Sequence, residues 1–419
     1  MSWVSGTPCS LAVTILASIG LAFSGTNVVT SAYLGSPMSF ELLLPTRVVF
    51  GAGASAALGS VVASLGRDAL IVTGGLPRRN PSLLDGLAAS GLSTTTVAIG
   101  HEPTVADLRG AAGLARDAGC NIVVSIGGGS VLDVGKAVSA LLTNDGDVTD
   151  YLEVIGRGRD LANTPVPHIA VPTTAGTGSE ATKNAVVLSK EHGVKVSMRS
   201  PLMVPTVAVV DPTLTHSMPR SVTVSSGLDA LTHLLESYVS LKANPLVDPY
   251  CEDGITRAAR SLRRAADDGN DAQARLDMSL ASLFGGIALA NAGLGAVHGL
   301  VGVLGGRLHV PHGLACGCLL APVFAANVAT ARSAGTPVLQ RYESAARLLT
   351  GDSDATAHDG VVWLGELAGS LELPRLGDYG LKPDLYADIC ADAARSSSMK
   401  GNPVQLDASD LEGILAQVV

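Results

Sequence analysis

Residues 291–313 read NAGLGAVHGLVGVLGGRLHVPHG, almost wholly Gly, Ala, Val and Leu, yet they place His298 and His312 in apolar surroundings. Upstream, SSGLDALTHLLESY places Asp229 and His233 at positions i and i+4, which a helix presents from one face, one turn apart. Three imidazoles and a carboxylate form a donor set suited to a divalent transition metal such as Fe(II) or Zn(II). The sequence therefore predicts a metal site formed by these four residues.

The alternative is that each histidine is a hydrogen-bonded core or capping residue. For any one of them alone, that interpretation is the better one. For four donors together the metal site is favoured, on the condition that the helices carrying them face each other.

Composition bounds the class of protein. The chain has 419 residues, of which 47% are hydrophobic, 16% charged and 3% aromatic, enough for two domains with cores of small aliphatic side chains. A net charge of −9 disfavours nucleic acid or an acidic membrane as partner. Six scattered cysteines lack disulfide or zinc-finger spacing and fit a reducing compartment, with Cys316 and Cys318 predicted to pack in the core.

Residues 1–39 form an apolar extension without a charged side chain. The run 11–23 resembles the apolar region of a signal peptide, but no Lys or Arg precedes it, and it is short for a membrane span. It is interpreted as either a targeting segment or a non-native, poorly ordered extension. For the globular part we predict a cytoplasmic location and no membrane partner.

The first half alternates strands and helices. Apolar runs at 69–73, 92–99 and 121–126 predict strands, with a helix at 104–119 between the second and third, which indicates a parallel sheet. The third strand leads into Gly127–Ser130 and a helix, where backbone N–H groups can approach a phosphate. The turn matches neither G-x-G-x-x-G nor a P-loop, and a tight connection is the alternative.

Residues 171–180 (VPTTAGTGSE) follow the next strand with four hydroxyl side chains that could hydrogen-bond ribose or amide groups; a polar loop with a helix cap is the alternative. We predict a hairpin from 186–188 and 195–198 and a last strand at 207–210. Helical periods follow at 224–240, 248–267, 272–292, 312–330, 335–350, 358–371, 384–396 and 407–418, which leaves 293–311 without a helix. The predicted domains are an α/β dinucleotide-binding domain at 40–213 and an all-helical metal-binding domain at 214–419.

Four motifs carry a resemblance to a known family: GGGSVLDVGK (127–136), PTTAGTGSEAT (172–182), GLDALTHLLESY (227–238) and GLGAVHGLVGVLGGRLHVPHG (293–313). In this order and spacing they resemble the iron-containing (group III) alcohol dehydrogenases. The resemblance implies a dehydroquinate synthase-like architecture, with an N-terminal dinucleotide-binding α/β domain and a helical C-terminal domain. It also implies metal-dependent hydride transfer between NAD(P)(H) and a small alcohol or aldehyde, and a homodimer.

Residue roles follow from the same resemblance. Gly127, Gly128, Gly129 and Ser130 are expected to hold the cofactor pyrophosphate, with Asp133 on the helix that follows. Thr173, Thr174 and Thr177 are expected to line the nicotinamide side, and Lys195 to lie near the nicotinamide ribose. The metal ligands implied by the resemblance are again Asp229, His233, His298 and His312.

Two positions depart from the family pattern. Gly302 stands where many members carry a second histidine, so protons would come from water, a cofactor hydroxyl or His309. The first strand ends in Gly74-Gly75 instead of the Asp that binds the ribose 2′-OH of NAD, and Arg78 and Arg79 follow. These arginines slightly favour NADP(H) over NAD(H), unless they belong to a surface turn.

Three other functions compete with this one. A maleylacetate reductase works without metal, which the intact ligand set argues against. A dehydroquinate synthase-like lyase or cyclase would carry many Lys and Arg, whereas 291–313 contains only Arg307, with Arg199 the other obvious anion partner of the pocket. A lapsed enzyme serving as an interaction protein has no support in the sequence.

Overall fold

The computed structural model describes residues 40–75 and 81–419. The apolar run 11–23 and the two arginines Arg78 and Arg79 lie outside the described residues. Nothing below therefore tests the predictions made for them.

Six parallel strands form the main sheet: β1 (Arg47–Phe50), β2 (Asp68–Gly74), β3 (Ser93–Ile99), β4 (Ile122–Gly127), β5 (His168–Pro172) and, last in the chain, β8 (Val207–Val210). Their spatial order is β1-β8-β5-β4-β2-β3. Between β5 and β8 in the chain, β6 (Asn184–Ser189) and β7 (Val194–Arg199) form the predicted antiparallel hairpin. The parallel sheet predicted for the first half is present.

Helices cover both faces of this sheet: α1 (Leu58–Ala63), α2 (Pro81–Ala89), α3 (Val105–Asp117), α4 (Gly129–Leu141) and α5 (Val148–Tyr151). Neighbouring residues of one strand enter different cores. Leu70 and Val72 join the cluster that contains residues of α3 and α4, whereas Ile71 joins the cluster that contains α1. Because both faces are buried, the central strands are continuous apolar runs and could be recognised in the sequence.

Residues 211–419 contain helices and no strand. The helices are α6 (Arg220–Val239), α7 (Asp248–Asp267), α8 (Ala272–Ala292), α9 (Ala296–Leu308), α10 (His312–Ala334), α11 (Val338–Thr350), α12 (Ala357–Ser370), α13 (Tyr386–Ala394) and α14 (Ala408–Ala416). α6 lies at the centre and packs on α7, α8 and α10. The predicted order, an α/β part followed by an all-helical part, is confirmed.

The sequence analysis did not predict α1, α2, α5, α9 or β1, and two of these show why. α9 contains Gly299, Gly302, Gly305 and Gly306, which lower intrinsic helix propensity, but its Leu300 is fully buried and tertiary packing holds the helix. β1 has only four residues and pairs with β8, far away in the chain, so no local pattern marks it.

Within the described residues one helix, α10, is long and apolar enough to cross a membrane, and α8 with α9 would pass the same test as a pair bent by 100°. In the folded chain 56% of the apolar window of α10 is buried inside the protein. Packing against α6 and α12 accounts for its composition.

Candidate metal and cofactor site

The first half of the predicted metal site lies on α6. Asp229 and His233 are one turn apart, each side chain only 5% exposed, and Nε2 of His233 lies 3.6 Å from Oδ1 of Asp229. Gly285 of α8 faces them: a Cβ atom there would lie 3.2 Å from Cβ of His233. The glycine therefore lets α8 approach the site closely.

The second half comes from α9 and α10. His298 lies in the first turn of α9, and His312 is the first residue of α10, after the N-cap Pro311. Nε2 of His298 lies 3.4 Å, and Nε2 of His312 3.5 Å, from Oδ1 of Asp229. The three imidazoles thus converge on one carboxylate oxygen, and the structure brings the four predicted ligands together.

The electrostatics of this cluster fit a divalent cation. Burial would raise the pKa of Asp229, but His233, His312 and His298 hold it below its usual value, so the carboxylate is ionised. Burial lowers the pKa of His233 to about 4, which leaves its ring neutral. All ion pairs of Asp229 within the described residues are with histidines, so no Lys or Arg competes with a metal for this oxygen.

Glu236 supports the site from behind and was missed in the sequence. One of its oxygens accepts the N–H of Val297 at 2.7 Å, and the other lies 2.7 Å from Nδ1 of His298. The N-cap of α9, Gly295, has no side chain to do this, so Glu236 caps the helix and orients its histidine together. Its position three residues after His233, on the same helical face, was the available signal.

Cys316 lies one turn after His312 on α10 and is fully buried. Its Sγ is 3.5 Å from Oδ1 of Asp229 and 3.8 Å from Nε2 of His298, so it is more than the core residue expected. Burial raises the pKa of Cys316 to about 12, which leaves a thiol that donates to Asp229. Cys318 points elsewhere and donates to the carbonyl of Pro374.

The glycine-rich turn lies where β4 meets α4. Gly128 is the N-cap of α4 and has no capping side chain, which leaves the first N–H groups of the helix open. A Cβ on Gly129 would lie 2.7 Å from Cγ2 of Thr177, and one on Gly127 2.6 Å from Cβ of Val131. Neither position has room for a larger residue.

The remaining predicted cofactor residues lie along one edge of the sheet. β2, β4 and β5 are neighbours, so Gly74, Gly127 and Thr173 come together at their carboxyl ends. Thr173 donates its N–H to the carbonyl of Gly127 at 2.9 Å. A Cβ on Gly74 would meet no atom of residues 40–75 or 81–419 within 4 Å, so among these residues nothing closes this end of the edge. Such an edge is where parallel sheets bind nucleotides.

Asp133 has a structural task in addition to its predicted one. Its oxygens accept from Oγ of Ser179 at 2.6 Å and from the N–H of Val186 at 2.9 Å, which ties the hairpin to α4. Lys136, fully buried one turn later, lies 3.1 Å from Asp133 and donates to Oγ1 of Thr182. Burial lowers the pKa of this lysine. Both groups hold the loop in place more than they face the cleft.

One cleft, with a volume of about 1350 Å³, joins the two halves of the site. It is lined by all four predicted metal ligands and by Gly128, Gly129, Ser130, Asp133, Thr174, Thr177 and Lys195, but not by Gly74, Gly127 or Thr173. Lys195 is paired with Glu102. Of the two arginines named as possible anion partners, Arg199 lines the cleft, whereas Arg307 does not and pairs with Asp392.

The two sides of the cleft meet backbone to backbone. Gly178, with φ of 57°, touches Gly286 of α8: a Cβ on Gly286 would lie 2.2 Å from the carbonyl oxygen of Gly178. The loop with Thr174 and Thr177 therefore sits directly on the helix that supports His233. No side chain separates them at this point.

Two protein families match this chain, one in each half. Residues 45–212 match the family described as iron-containing alcohol dehydrogenase, and residues 223–419 match the C-terminal family of the Fe-containing alcohol dehydrogenases. The chain belongs to the iron-containing alcohol dehydrogenase family. It is accordingly an oxidoreductase that interconverts alcohols and aldehydes, and the maleylacetate reductase and lyase alternatives are not favoured.

Relatives cover nearly the whole chain. Choline dehydrogenase of Bacillus subtilis is 32% identical over 88% of this chain and 92% of its own length. 4-Hydroxybutyrate dehydrogenase of Cupriavidus necator is 34% identical over 84% of this chain and 90% of its own length. Among solved structures, a 1,3-propanediol oxidoreductase superposes with a TM-score of 0.85 at 30% identity, covering 91% of this chain and 100% of that one.

Gly302 marks where this iron-containing alcohol dehydrogenase departs from the pattern expected of it. It lies one turn after His298 on α9, it is exposed, and a Cβ there would meet nothing within 4 Å. His309 ends α9 with φ of 54° and does not line the cleft. Of the three proton sources named above, His309 is the one that the structure places outside the cleft.

Proposed function

We propose that this chain reduces a small aldehyde, and oxidises the corresponding alcohol, with Asp229, His233, His298 and His312 holding Fe(II), or Zn(II) as the alternative metal. The observation that carries the proposal is the convergence of three imidazole Nε2 atoms to within 3.4–3.6 Å of one carboxylate oxygen. An oxygen and nitrogen set of this kind, with Asp229, His233 and His298 buried and His312 half exposed toward the cleft, suits a divalent metal.

The same proposal assigns the cofactor to the opposite wall of the cleft. Its pyrophosphate binds at the turn formed by Gly127, Gly128, Gly129 and Ser130, where the absence of a capping side chain at Gly128 leaves the first N–H groups of α4 open. Thr174 and Thr177, which line the cleft, border the nicotinamide, with Lys195 near its ribose. Thr173 does not line the cleft and contributes through the bond from its N–H to the carbonyl of Gly127. NADP(H) is slightly favoured over NAD(H), because Gly74 carries no carboxylate that would repel a 2′-phosphate.

When bound, the nicotinamide supplies or accepts the hydride and the metal acts as a Lewis acid. The residues of this chain position both. Glu236 keeps the proton of His298 on Nδ1, so that Nε2 faces the site with its lone pair. The absence of a side chain at Gly129 lets the cofactor approach the backbone. The contact between Gly178 and Gly286 fixes the spacing across the cleft.

The substrate proposed is a small polar alcohol or aldehyde, in line with relatives named for choline, 4-hydroxybutyrate and 1,3-propanediol. We further propose domain limits of 40–213 and 214–419, a homodimer and a cytoplasmic location. No nucleic-acid or membrane partner is proposed for the globular part.

The test is oxidation of NADPH and of NADH with an aldehyde, on protein stripped of metal and then reloaded anaerobically with Fe(II) or Zn(II). We expect activity to return only with metal. His298→Ala should lose both bound metal and turnover. The matched control is His309→Asn, because His309 lies outside the cleft and asparagine tolerates its left-handed backbone.

Two outcomes would contradict the proposal. Stripped protein that is as active as reloaded protein would favour the metal-free reductase. His298→Ala protein that keeps its metal would remove that residue from the ligand set.

A further inference from the structure

Five lysine and arginine side chains line the cleft, and three of them are paired. The pairs are Lys195 with Glu102, Arg199 with Glu153 at 3.5 Å and Arg220 with Glu372 at 3.9 Å. Lys183 and Lys242 have no carboxylate within ion-pair distance among the described residues. The stretches outside the description, 1–39 and 76–80, contain no Asp or Glu, so the two ammonium groups remain unpaired.

Lys183 and Arg199 are neighbours at the open end of the hairpin. Arg199 is in register with Asn184, and the N–H of Ser200 donates to the carbonyl of Lys183 at 3.1 Å. Lys242 reaches the cleft from the connection between α6 and α7, and its Cδ lies 3.8 Å from the Cβ position of Gly293, just past the end of α8.

These cations are close enough to interact. Burial lowers the pKa of Lys183 most, and the charges of Arg199 and Lys242 act in the same direction, against the opposing effect of Glu41. Of the carboxylates that line the cleft, Glu41 is the one whose charge acts on Lys183. The excess of positive charge is unfavourable unless an anion binds there.

The distance between these lysines and the proposed metal site can be judged along α8. Gly285 of α8 touches His233, and Gly293 follows Gly285 by eight residues. At 1.5 Å per residue, this places the Lys242 end of the cleft about 12 Å from the metal ligands, less the reach of the lysine side chain. Leu289, between the two along α8, lines the cleft and offers an apolar wall.

The cofactor phosphates do not account for these lysines. The pyrophosphate position is the N-terminus of α4, and the open end of the nucleotide edge is at Gly74 on β2. β4 separates β2 from β5, and it is the loop after β5 that leads to Lys183. The lysines therefore lie toward α8, on the substrate side of the cleft.

We propose that Lys183 and Lys242 bind the anionic end of the substrate, and that this substrate is an ω-oxo carboxylic acid, reduced to the corresponding ω-hydroxy acid. The inference rests on the proposed function. The carboxylate is bound and unchanged, while the aldehyde carbon receives the hydride and its oxygen the proton. Glu41 opposes a second negative charge, which favours a monoanion.

The experiment compares succinic semialdehyde with butanal, an uncharged aldehyde of equal chain length, on metal-loaded protein with the preferred cofactor. We expect a higher kcat/KM for the semialdehyde, through a lower KM, and a smaller preference at high ionic strength. In Lys183→Met and Lys242→Met the ratio of the two kcat/KM values should fall about tenfold each. Lys190→Met, in the exposed turn of the same hairpin, is the matched control and should leave the ratio unchanged.

Failure of this inference is distinguishable from failure of the proposed function. Reduction of both aldehydes at equal kcat/KM, or a ratio unmoved by either lysine variant, overturns the inference alone. A rise in the KM of the cofactor in place of the semialdehyde would assign the lysines to cofactor phosphate and overturn it too. Absence of turnover with both aldehydes overturns the proposed function itself.

Discussion

The substitution Glu236→Gln tests whether Glu236 orients His298 for metal binding, and it leaves the four predicted ligands themselves unchanged. In the wild type, one oxygen of Glu236 accepts from Val297 and the other from Nδ1 of His298, both at 2.7 Å. Glutamine has only one accepting oxygen. If that oxygen stays with Val297, the NH2 group faces Nδ1 and drives the imidazole proton to Nε2, the nitrogen that faces Asp229.

A proton on Nε2 blocks the lone pair that a metal needs. In the reversed orientation of the amide, its NH2 group opposes the N–H of Val297 instead. Loss of such a supporting partner lowers metal affinity about 10- to 100-fold, equivalent to roughly 1.4–2.8 kcal/mol. The loss of one charge-assisted hydrogen bond gives the same order, about 1.5–3 kcal/mol.

The assay is competition for Zn(II) with a chromophoric chelator, on wild type, Glu236→Gln and a matched control. The control is Glu252→Gln, because Glu252 accepts from the hydroxyl of Tyr238 at 3.2 Å and touches no predicted ligand. We expect the zinc affinity of Glu236→Gln to fall and that of the control to stay at the wild-type value. A Glu236→Gln protein that binds zinc as tightly as wild type would refute the role given to this carboxylate.

Three further substitutions test other parts of the molecule. Gly74→Asp should fold normally, because its Cβ meets no atom of the described residues within 4 Å, and should move cofactor preference toward NADH in steady-state kinetics; an unchanged preference contradicts the role of this position. Gly129→Ala should raise the KM of the cofactor, because its Cβ would lie 2.7 Å from Thr177, an overlap costing about 1–3 kcal/mol; an unaltered KM argues against this turn as the phosphate site. Burial, then the charge of Lys136, lower the pKa of His168 to about 3. Below pH 6.5 the unfolded chain takes up a proton that the folded chain refuses, so stability falls by about 1.4 kcal/mol per pH unit down to about pH 3. Urea unfolding of metal-free protein between pH 6 and pH 4 should show a shallower loss in His168→Gln, and parallel curves would exclude this histidine.

The elements that could be predicted from the sequence are those whose burial leaves a local pattern of apolar residues. β2 and β4 are buried on both faces, so their Val and Ile runs stand out, and the helices of the second half repeat Ala and Leu at helical spacing. β1 is stabilised by a partner far along the chain, and α9 by the burial of residues such as Leu300. Long-range pairing at β1 and tertiary packing at α9 override local propensity. Neither effect can be predicted from the local sequence.

The site divides in the same way. Asp229 and His298 were found because their residue types are unusual within apolar segments. Glu236 looked like an ordinary helical glutamate, since its contact with His298 spans 62 residues of chain. The pairing state of Lys183 and Lys242 was equally hidden, because a lysine is unpaired only relative to carboxylates that the fold brings near or keeps away.

The glycine contact between Gly178 and Gly286 has a consequence for engineering this enzyme. Peptide groups set the gap between the wall proposed to bind the cofactor and the wall with the four predicted metal ligands, so we expect side-chain substitutions elsewhere in the cleft to leave it unchanged. We therefore expect a library that varies Leu289, Lys183 or Lys242 to change the proposed substrate pocket and to keep the spacing across the cleft. The residues proposed to set substrate selectivity therefore differ from the two glycines that set the spacing across the cleft. We expect that selectivity can be redesigned while this spacing is kept.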